Sequence, residues 1–373
     1  MKYLFTAVLF MGLVSYSVAQ DSLKVEFSPY ASFRGHFAVF NDEIEIQENA
    51  SRIGFELSVQ KNKVRFFVGS ELGINLFRSP QIFNTDANTS SGFIRVTTED
   101  ISVFSGRLGY LGVDLGKGGK FTLGKQWSTY YDITGYTDKF NVFGGRASAT
   151  YTGTSDGGET GTGRASQAVT YRNSFGNLSL GGQLQFRNGL NDRVIDGFGL
   201  SAQYEIFSGL RLGAAYNKVY FLEQIIDNTN GFGGQPEYLT FGMSFVNDNW
   251  YIGVVYSSQT NGDVTLAELE DEFISSVYDA DGLEIFAKFK QPRYAIILGY
   301  NGYNPDVNNL PIDNEYDRQD FIIGGEFKPT KYAYFYSEWR ISNGTDAFGF
   351  EDTDVFTMGV RLDLNRTYSK FIK

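Results

Sequence analysis

Polar and apolar residues alternate along much of this chain, which places them on opposite sides of extended segments. The alternation is complete over residues 51–60. Farther along, Arg164 and Arg172 share one face of an extended segment, whereas Ala165 and Val169 lie on the other. A period of two residues is typical of β-strands with one apolar face and one face in water. The pattern therefore predicts an all-β protein.

Sixteen candidate strands follow from this pattern. They span residues 25–40, 50–60, 64–77, 105–115, 120–128, 163–173, 178–187, 196–206, 210–221, 237–247, 250–260, 282–291, 293–304, 317–328, 331–342 and 354–364. Tight turns such as 61–63 and 116–119 alternate with long polar links. The long links include residues 78–104, 129–162, 222–236 and 261–281. Short connections on one rim and long connections on the other are typical of outer-membrane barrels.

A water-soluble β-sandwich is the alternative architecture, with its apolar faces packed around a core about 10 Å thick. So many strands with so many polar positions fit a barrel better, because its lumen face stays wet while its apolar face meets lipid. Aromatic residues near the predicted strand ends could form belts at the membrane interfaces. They are Tyr220, Phe221, Trp250, Tyr251, Tyr256 and Trp339. We therefore predict a transmembrane antiparallel β-barrel with short periplasmic turns and long external loops.

Residues 1–19 have the features of a secretory signal peptide. Lys2 precedes an apolar run over residues 3–14, which is shorter than the roughly 20 residues that a helix needs to span a bilayer. Ser17 and Ala19 are small residues at the positions before a cleavage site. Cleavage after Ala19 would leave residues 20–373 as a single barrel domain. No cysteine follows, so we do not expect a lipoprotein.

The composition excludes several kinds of chemistry. The 373 residues contain no cysteine and one histidine, so a thiolate metal site or a cysteine nucleophile is impossible, and a histidine-based triad or metal site would need unusual partners. The formal net charge of −11 argues against a nucleic-acid binder, which needs a basic face. We expect no enzymatic activity, no cofactor and no nucleic-acid partner.

A dense group of motifs lies between residues 121 and 173. Residues 130–140 read YYDITGYTDKF, and Phe143-Gly144-Gly145 follow shortly after. FTLGKQW precedes them at 121–127, and AVTYRN follows at 168–173. These motifs closely resemble the trimeric general diffusion porins of Gram-negative outer membranes. The resemblance is dense over about residues 105–175 and thinner elsewhere.

The resemblance implies that the third long loop folds into the barrel lumen and narrows the pore, where its acidic side faces a basic wall. Asp138 would be the constriction acid of that loop. The matching wall residues are Arg164, Arg107, Arg52, Lys125 and, more loosely, Arg34. Further candidate residues of the loop are Asp132, Tyr136, Phe143, Gly144 and Gly145. The resemblance also implies a homotrimer embedded in outer-membrane lipid.

Two positions depart from the family's pattern. Val142 stands where the family commonly has a second acidic residue, and Arg146 follows the glycines in place of an acid. The loop tip is therefore less acidic than in the family, unless Asp132, Asp156 or Glu159 compensates. A basic wall opposite an acidic loop creates a strong transverse field in a narrow gap. We predict weak ion selectivity that leans towards anions at the constriction.

The sequence thus predicts a water-filled channel for passive diffusion of small hydrophilic solutes and ions across a Gram-negative outer membrane. A substrate-selective porin, for phosphate or sugar, is the first alternative and would need a binding site in the pore. A barrel that is not a channel, either an adhesin or an outer-membrane hydrolase, is the second, and the single histidine argues against the hydrolase. The last predicted strand ends at Leu364, and the sequence leaves the role of residues 365–373 open.

Overall fold

Strands that follow one another in the chain pair as antiparallel hairpins, and the first strand pairs with the last two to close a barrel. The computed structural model describes residues 23–77, 81–83, 94–97, 102–152, 156–187, 193–223, 226, 233–269, 272–306, 316–345 and 351–372. The predicted signal peptide therefore lies outside the described residues. Within these ranges, no helix is long and apolar enough to cross a membrane.

The described strands and their bounds are as follows. They are β1 (Leu23–Phe40), β2 (Glu43–Glu48), β3 (Arg52–Lys61), β4 (Val64–Ile74), β5 (Gln81–Phe83), β6 (Ile94–Thr97), β7 (Phe104–Asp114), β8 (Lys120–Trp127), β9 (Arg164–Phe175), β10 (Leu178–Gln185), β11 (Gly197–Phe207), β12 (Leu210–Val219), β13 (Glu237–Val246), β14 (Trp250–Leu269), β15 (Glu272–Lys290), β16 (Tyr294–Pro305), β17 (Asp317–Phe327), β18 (Ala333–Thr345), β19 (Val355–Asn365) and β20 (Tyr368–Ile372). One short helix, α1 (Tyr131–Thr134), follows β8.

The barrel has sixteen strand positions among the described residues. β2 and β3 share the position beside β1 on one side, and β19 and β20 share the position on its other side. β5 and β6 form a separate two-stranded sheet. The predicted antiparallel barrel of about sixteen strands is thus confirmed. The β-sandwich alternative is wrong, because the described wall strands form one closed ring and not two sheets packed face to face.

The outer face of the barrel wall carries the exposed large apolar side chains. On β13, the side chain of Phe241 is 50% exposed, whereas its neighbour Thr240 is completely buried. Trp250 and Trp339 are likewise exposed on the outer surface, as expected for residues that meet lipid and headgroups. The prediction that Tyr251 belongs to these belts is wrong. Its hydroxyl donates a hydrogen bond inside the barrel, because neighbours on a strand face opposite sides.

The hairpin of β14 and β15 is much longer than predicted. The sequence predicted a polar link over residues 261–281, but the two strands continue through it, with a shift of register between Gln259 and Asp263. A membrane strand needs only about ten residues, so the 20 residues of β14 extend well beyond the bilayer. The polar composition of this segment does not prevent strand pairing, and Val277, Tyr278 and Ala280 within it are buried.

The extension after Leu364 completes the barrel. β20 pairs with the beginning of β1, where Ile372 lies opposite Leu23 and Tyr368 opposite Phe27. β19 pairs with the rest of β1 up to Val39. Residues 368–372 therefore continue the last barrel position towards the rim that carries the short turns.

Candidate functional site

The segment between β8 and β9 is called loop three, and its described residues, 128–152 and 156–163, lie inside the barrel. Glycines on the facing strands allow its close approach. A Cβ atom at Gly282 would overlap the backbone carbonyl of Ala147, and one at Gly299 would overlap the ring of Phe140. The wall thus gives up side-chain volume where the loop backbone passes, a usual reason for glycine in a strand.

We expect Gly282→Ala to destabilise the contact between loop three and β15. The new methyl group would meet the Ala147 carbonyl, which is backbone and cannot rotate away; overpacking of this kind costs about 1–3 kcal/mol. The matched control is Gly182→Ala on β10, where a Cβ atom would have open space. Thermal unfolding of the two purified variants measures the difference. Equal unfolding temperatures would show that the loop does not lie against Gly282.

Two buried glutamates from the wall hold the backbone of loop three. The carboxyl group of Glu338 on β18 accepts hydrogen bonds from the backbone N–H groups of Asn141 (2.6 Å) and Val142 (2.9 Å). Glu284 on β15 accepts bonds from the backbone N–H groups of Ala147 and Ser148, both at 2.8 Å. Both glutamates are almost completely buried. Sequence reasoning missed them, because their partners lie more than a hundred residues away and no local motif connects them.

Arg146, at the tip of the loop, is buried in a network of charges. It donates to Asp320 at 3.1 Å, and Asp320 also accepts a bond from Arg340 at 2.9 Å. Arg340 and Arg318 then converge on Asp352. Burial alone would raise the pKa of Asp352, but these guanidinium groups lower it to about 2. Arg146 therefore ties the loop to β17 and does not line the open space.

A cavity of about 650 Å³ lies between loop three and the wall formed by β1, β3, β7, β9 and β19. Six cationic side chains and two carboxylates line it. These are Arg34, Arg52, Arg107, Lys139, Arg164 and Arg361, with Asp138 and Asp156. We call the five arginines the arginine wall. Arg361 on β19 was not predicted, since the thinner resemblance over the last strands matched no wall arginine there.

The other predicted site residues are placed as follows. Gly144 lines the cavity, whereas Lys125 does not and instead pairs with Asp156 at 2.7 Å. Phe143 is completely buried in an apolar cluster against the barrel wall. Tyr136 packs on wall glycines and donates a hydrogen bond to Gln203.

Two further loop residues, Gly145 and Asp132, do not line the cavity. Gly145 has a φ of +72°, a conformation that favours glycine, and it lies beside the ring of Tyr151. Asp132 pairs with Arg172 at 3.0 Å and accepts a hydrogen bond from Ser201. Asp132 therefore holds the start of the loop against β9 and β11 and does not line the cavity.

Most acidic groups near the cavity are engaged by named partners. Glu71 contacts Arg107 at 2.8 Å and Arg52 at 3.9 Å. Asp138 accepts hydrogen bonds from the hydroxyl groups of Tyr131 (2.8 Å) and Tyr151 (2.9 Å). The acids considered as compensation at the loop tip are also paired, since Asp132 and Asp156 contact arginines and Glu159 contacts Arg187 at 3.0 Å. Cationic groups thus dominate the lining.

Asp156 clamps loop three to the wall, and we expect this clamp to weaken in acid. Lys125 lies 2.7 Å and Arg164 3.1 Å from its carboxylate. Burial would raise the pKa of Asp156, but the bonds to these two cations bring it below its usual value of 3.8. A lowered pKa contributes stability at neutral pH that is lost as the pH falls through that lowered value. Asp156→Asn should therefore lower the unfolding temperature at pH 7, and the difference from the natural protein should shrink below about pH 4. A difference that does not depend on pH would contradict this role.

Within the described residues, no group of three or more histidine, cysteine, aspartate or glutamate side chains is placed to hold a metal ion.

A family model described as Gram-negative porin matches residues 19–360. Outer membrane protein F of Serratia marcescens is 31% identical over 165 residues, which is 42% of this chain and 42% of that protein. Outer membrane porin protein OmpD of Salmonella typhimurium strain LT2 is 34% identical over 166 residues, 42% of this chain and 44% of that protein. The chain thus matches less than half the length of these curated relatives.

Solved structures share the whole barrel. The structure of Salmonella typhi OmpF in complex with daunomycin has a TM-score of 0.71 at 20% identity and covers 91% of this chain and 97% of its own. The trimer form of OmpT from Vibrio cholerae has a TM-score of 0.62 at 18% identity and covers 92% and 100%. At these identities the likeness shows the shared fold.

Proposed function

Since the chain belongs to the Gram-negative porin family, we propose that it forms a water-filled channel through which small hydrophilic solutes and ions diffuse passively. Membership of the family puts the protein in the outer membrane of a Gram-negative bacterium. Transport of this kind needs a lumen and a concentration gradient, without turnover or a cofactor. Residues 1–19 would serve as the export signal and be removed before the barrel forms.

The cavity between loop three and the arginine wall is the observation that carries this proposal. Loop three and the arginine wall face each other across the lumen, so a solute that crosses the barrel at this level passes between them. Arg52, Arg107 and Arg164 stand on one side, and Asp138 stands on the loop. Opposite charges across a narrow gap orient water and polar solutes. Apolar solutes are hindered, because they must disrupt this ordered water.

The constriction should lean weakly towards anions. Six cationic side chains line it with two carboxylates, and Glu71 offsets part of that positive charge. The formal charge of −11 for the whole chain has less influence, because exposed charges are screened over roughly 8 Å at physiological salt.

We also propose that three copies assemble in outer-membrane lipid. The outer face of the barrel is rich in exposed apolar side chains, such as Phe37, Phe66 and Phe121 on β1, β4 and β8. In a single barrel, lipid would contact all of these side chains. In a trimer, neighbouring copies would contact part of them. The family resemblance and the trimeric solved relative support this arrangement.

Conductance of the purified protein in planar lipid bilayers tests the proposal. Steps of equal size in groups of three would support an open trimeric pore. The reversal potential in a salt gradient then gives the ion preference, which we expect to be weak and towards anions. A strong cation preference would contradict the proposed role of the arginine wall. A protein that inserts into bilayers without conducting would favour the adhesin or hydrolase alternative.

A further inference from the structure

The cavity has features of a binding site in addition to those of a passage. We propose that it binds a compact polyanion, a small solute that carries two or more neighbouring carboxylate or phosphoryl groups, before the solute moves on. The inference rests on the proposed channel function and gives that channel a preferred class of solute. The pore would then be a substrate-selective porin for compact polyanions.

The register of the strands brings arginines directly opposite each other. Arg34 on β1 and Arg361 on β19 are partners in the antiparallel pairing. On the other side of β1, Arg52 lies opposite Ser32, two residues from Arg34. Like charges directly opposite each other destabilise a sheet. A bound anion with several charges would relieve this repulsion and bridge the neighbouring guanidinium groups.

The arginines are held by their inner nitrogens, and their outer ends remain available. The Nε atom of Arg34 donates to Ser32 at 2.9 Å, that of Arg107 to Glu71 at 2.8 Å, and that of Arg361 to Asp363 at 2.8 Å. In the described part of the chain, no hydrogen bond engages the terminal nitrogens of these three arginines, and all three side chains line the cavity. Two terminal nitrogens of a guanidinium match the oxygens of a carboxylate or phosphoryl group.

A glycine keeps the row of arginines continuous. Gly73 on β4 lies opposite Arg52 on one side and opposite Ser105 of β7 on the other. A Cβ atom at Gly73 would stand 2.6 Å from the hydroxyl oxygen of Ser105 and 3.3 Å from Cδ of Arg107. The missing side chain therefore lets Arg107 lie across β4 towards Arg52, a close approach of the kind that glycine permits.

The loop side of the cavity limits the size of the solute, and its acidic groups repel an anion only weakly. The volume of about 650 Å³ lies within the usual range for small-molecule sites, so a compact solute fits. Two loop acids, Asp138 and Asp156, line the cavity and would repel an anion. Two tyrosine hydroxyls donate to Asp138, and Asp156 is paired with Lys125 and Arg164. Lys139 beside Asp138 adds a cation to the same side.

Titration of single channels with citrate tests the inference, with acetate at equal ionic strength as the monovalent comparison. We expect citrate to block the chloride current in a saturable way and acetate not to do so. Arg361→Gln should raise the citrate concentration for half-block about tenfold, because it removes charge-assisted hydrogen bonds. Tripolyphosphate in place of citrate shows whether phosphoryl groups are taken as well as carboxylates.

The matched control is Arg211→Gln on β12, which makes the same change of charge in the lumen. Arg211 pairs with Glu205 and does not line the cavity, so the half-block concentration should stay the same. An equal loss in both variants would overturn the inference and indicate a general effect of lumen charge. A current that falls linearly with both citrate and tripolyphosphate, as with acetate, would also overturn it while leaving the channel function intact.

A second measurement does not depend on conduction. A ligand that binds only the folded state raises its stability, so citrate should raise the unfolding temperature of the detergent-solubilised protein. This rise should be smaller for Arg361→Gln than for Arg211→Gln. Absence of conductance together with a citrate-dependent rise would contradict the channel and retain the binding site. No rise in the natural protein would overturn the site.

Discussion

Glu338→Gln should give channels with a larger and noisier conductance. In the natural protein, both carboxyl oxygens of Glu338 accept bonds from loop three, from the backbone N–H groups of Asn141, Val142 and Phe143 and from the Asn141 side chain. The amide would turn an NH₂ group towards two N–H donors. A loss of about 3 kcal/mol would raise the fraction of detached loop roughly a hundredfold. Single-channel recordings measure the mean conductance and its variance.

The matched control for this prediction is Glu237→Gln. Glu237 is the first residue of β13 and pairs with Lys218. It does not contact loop three, so the conductance of this variant should equal that of the natural protein. The two variants should retain the same barrel content of β-structure by circular dichroism. If Glu338→Gln conducts as quietly as the control, the buried carboxylate does not hold the loop in place.

Replacing Arg52 and Arg107 together by glutamine should move the ion preference towards cations. A unit charge about 4 Å from an ion in water contributes about 1 kcal/mol, which corresponds to roughly a fivefold change in occupancy. The pair should act more strongly than two isolated charges, because both arginines contact Glu71. Their loss would leave the carboxylate of Glu71 with the hydroxyl of Tyr30 as its neutral partner. Reversal potentials in a potassium chloride gradient measure the shift.

A triple variant that adds Glu71→Gln separates the two contributions. If the uncovered carboxylate matters, the triple variant should fall between the natural protein and the double variant. Equal reversal potentials for the double variant and the natural protein would show that these arginines do not face the path of the ions. Arg211→Gln again provides a change of charge in the lumen away from the cavity.

The sequence was sufficient to predict the strands, because alternate residues of a membrane barrel strand face the lipid and the lumen. Segments such as β3 and β13 need a wet face and an apolar face along their whole length, so the period of two is unbroken. The same rule failed in the hairpin of β14 and β15. Beyond the bilayer no continuous apolar face is required, so an extended strand and a loop have similar polar composition.

Residues of the site were predicted only where they belong to a local sequence motif. Arg52, Arg107 and Arg164 belong to recognisable segments, and they line the cavity together with Asp138. The residues that pair with these arginines or anchor loop three do not belong to recognisable sequence segments. Arg361, Glu71 and the anchor Glu338 gain their roles from the register between strands and from where the loop backbone passes. An alternating pattern specifies neither, because it is unchanged when one strand slides by two residues.

The seam between β1 and the last two strands imposes an order on assembly. The other described neighbours in the barrel wall occupy positions that follow one another along the chain, at sequence separations far smaller than that across the seam, so they pair at a smaller entropic cost. Leu23 meets Ile372 only when the final strand has been delivered. Until then, both edges of the sheet offer unpaired backbone groups, the kind of template on which chains mispair. Pairing of β19 closes most of the seam and the five residues of β20 close the rest, so removal of β20 would leave the beginning of β1 with a permanent edge on that side.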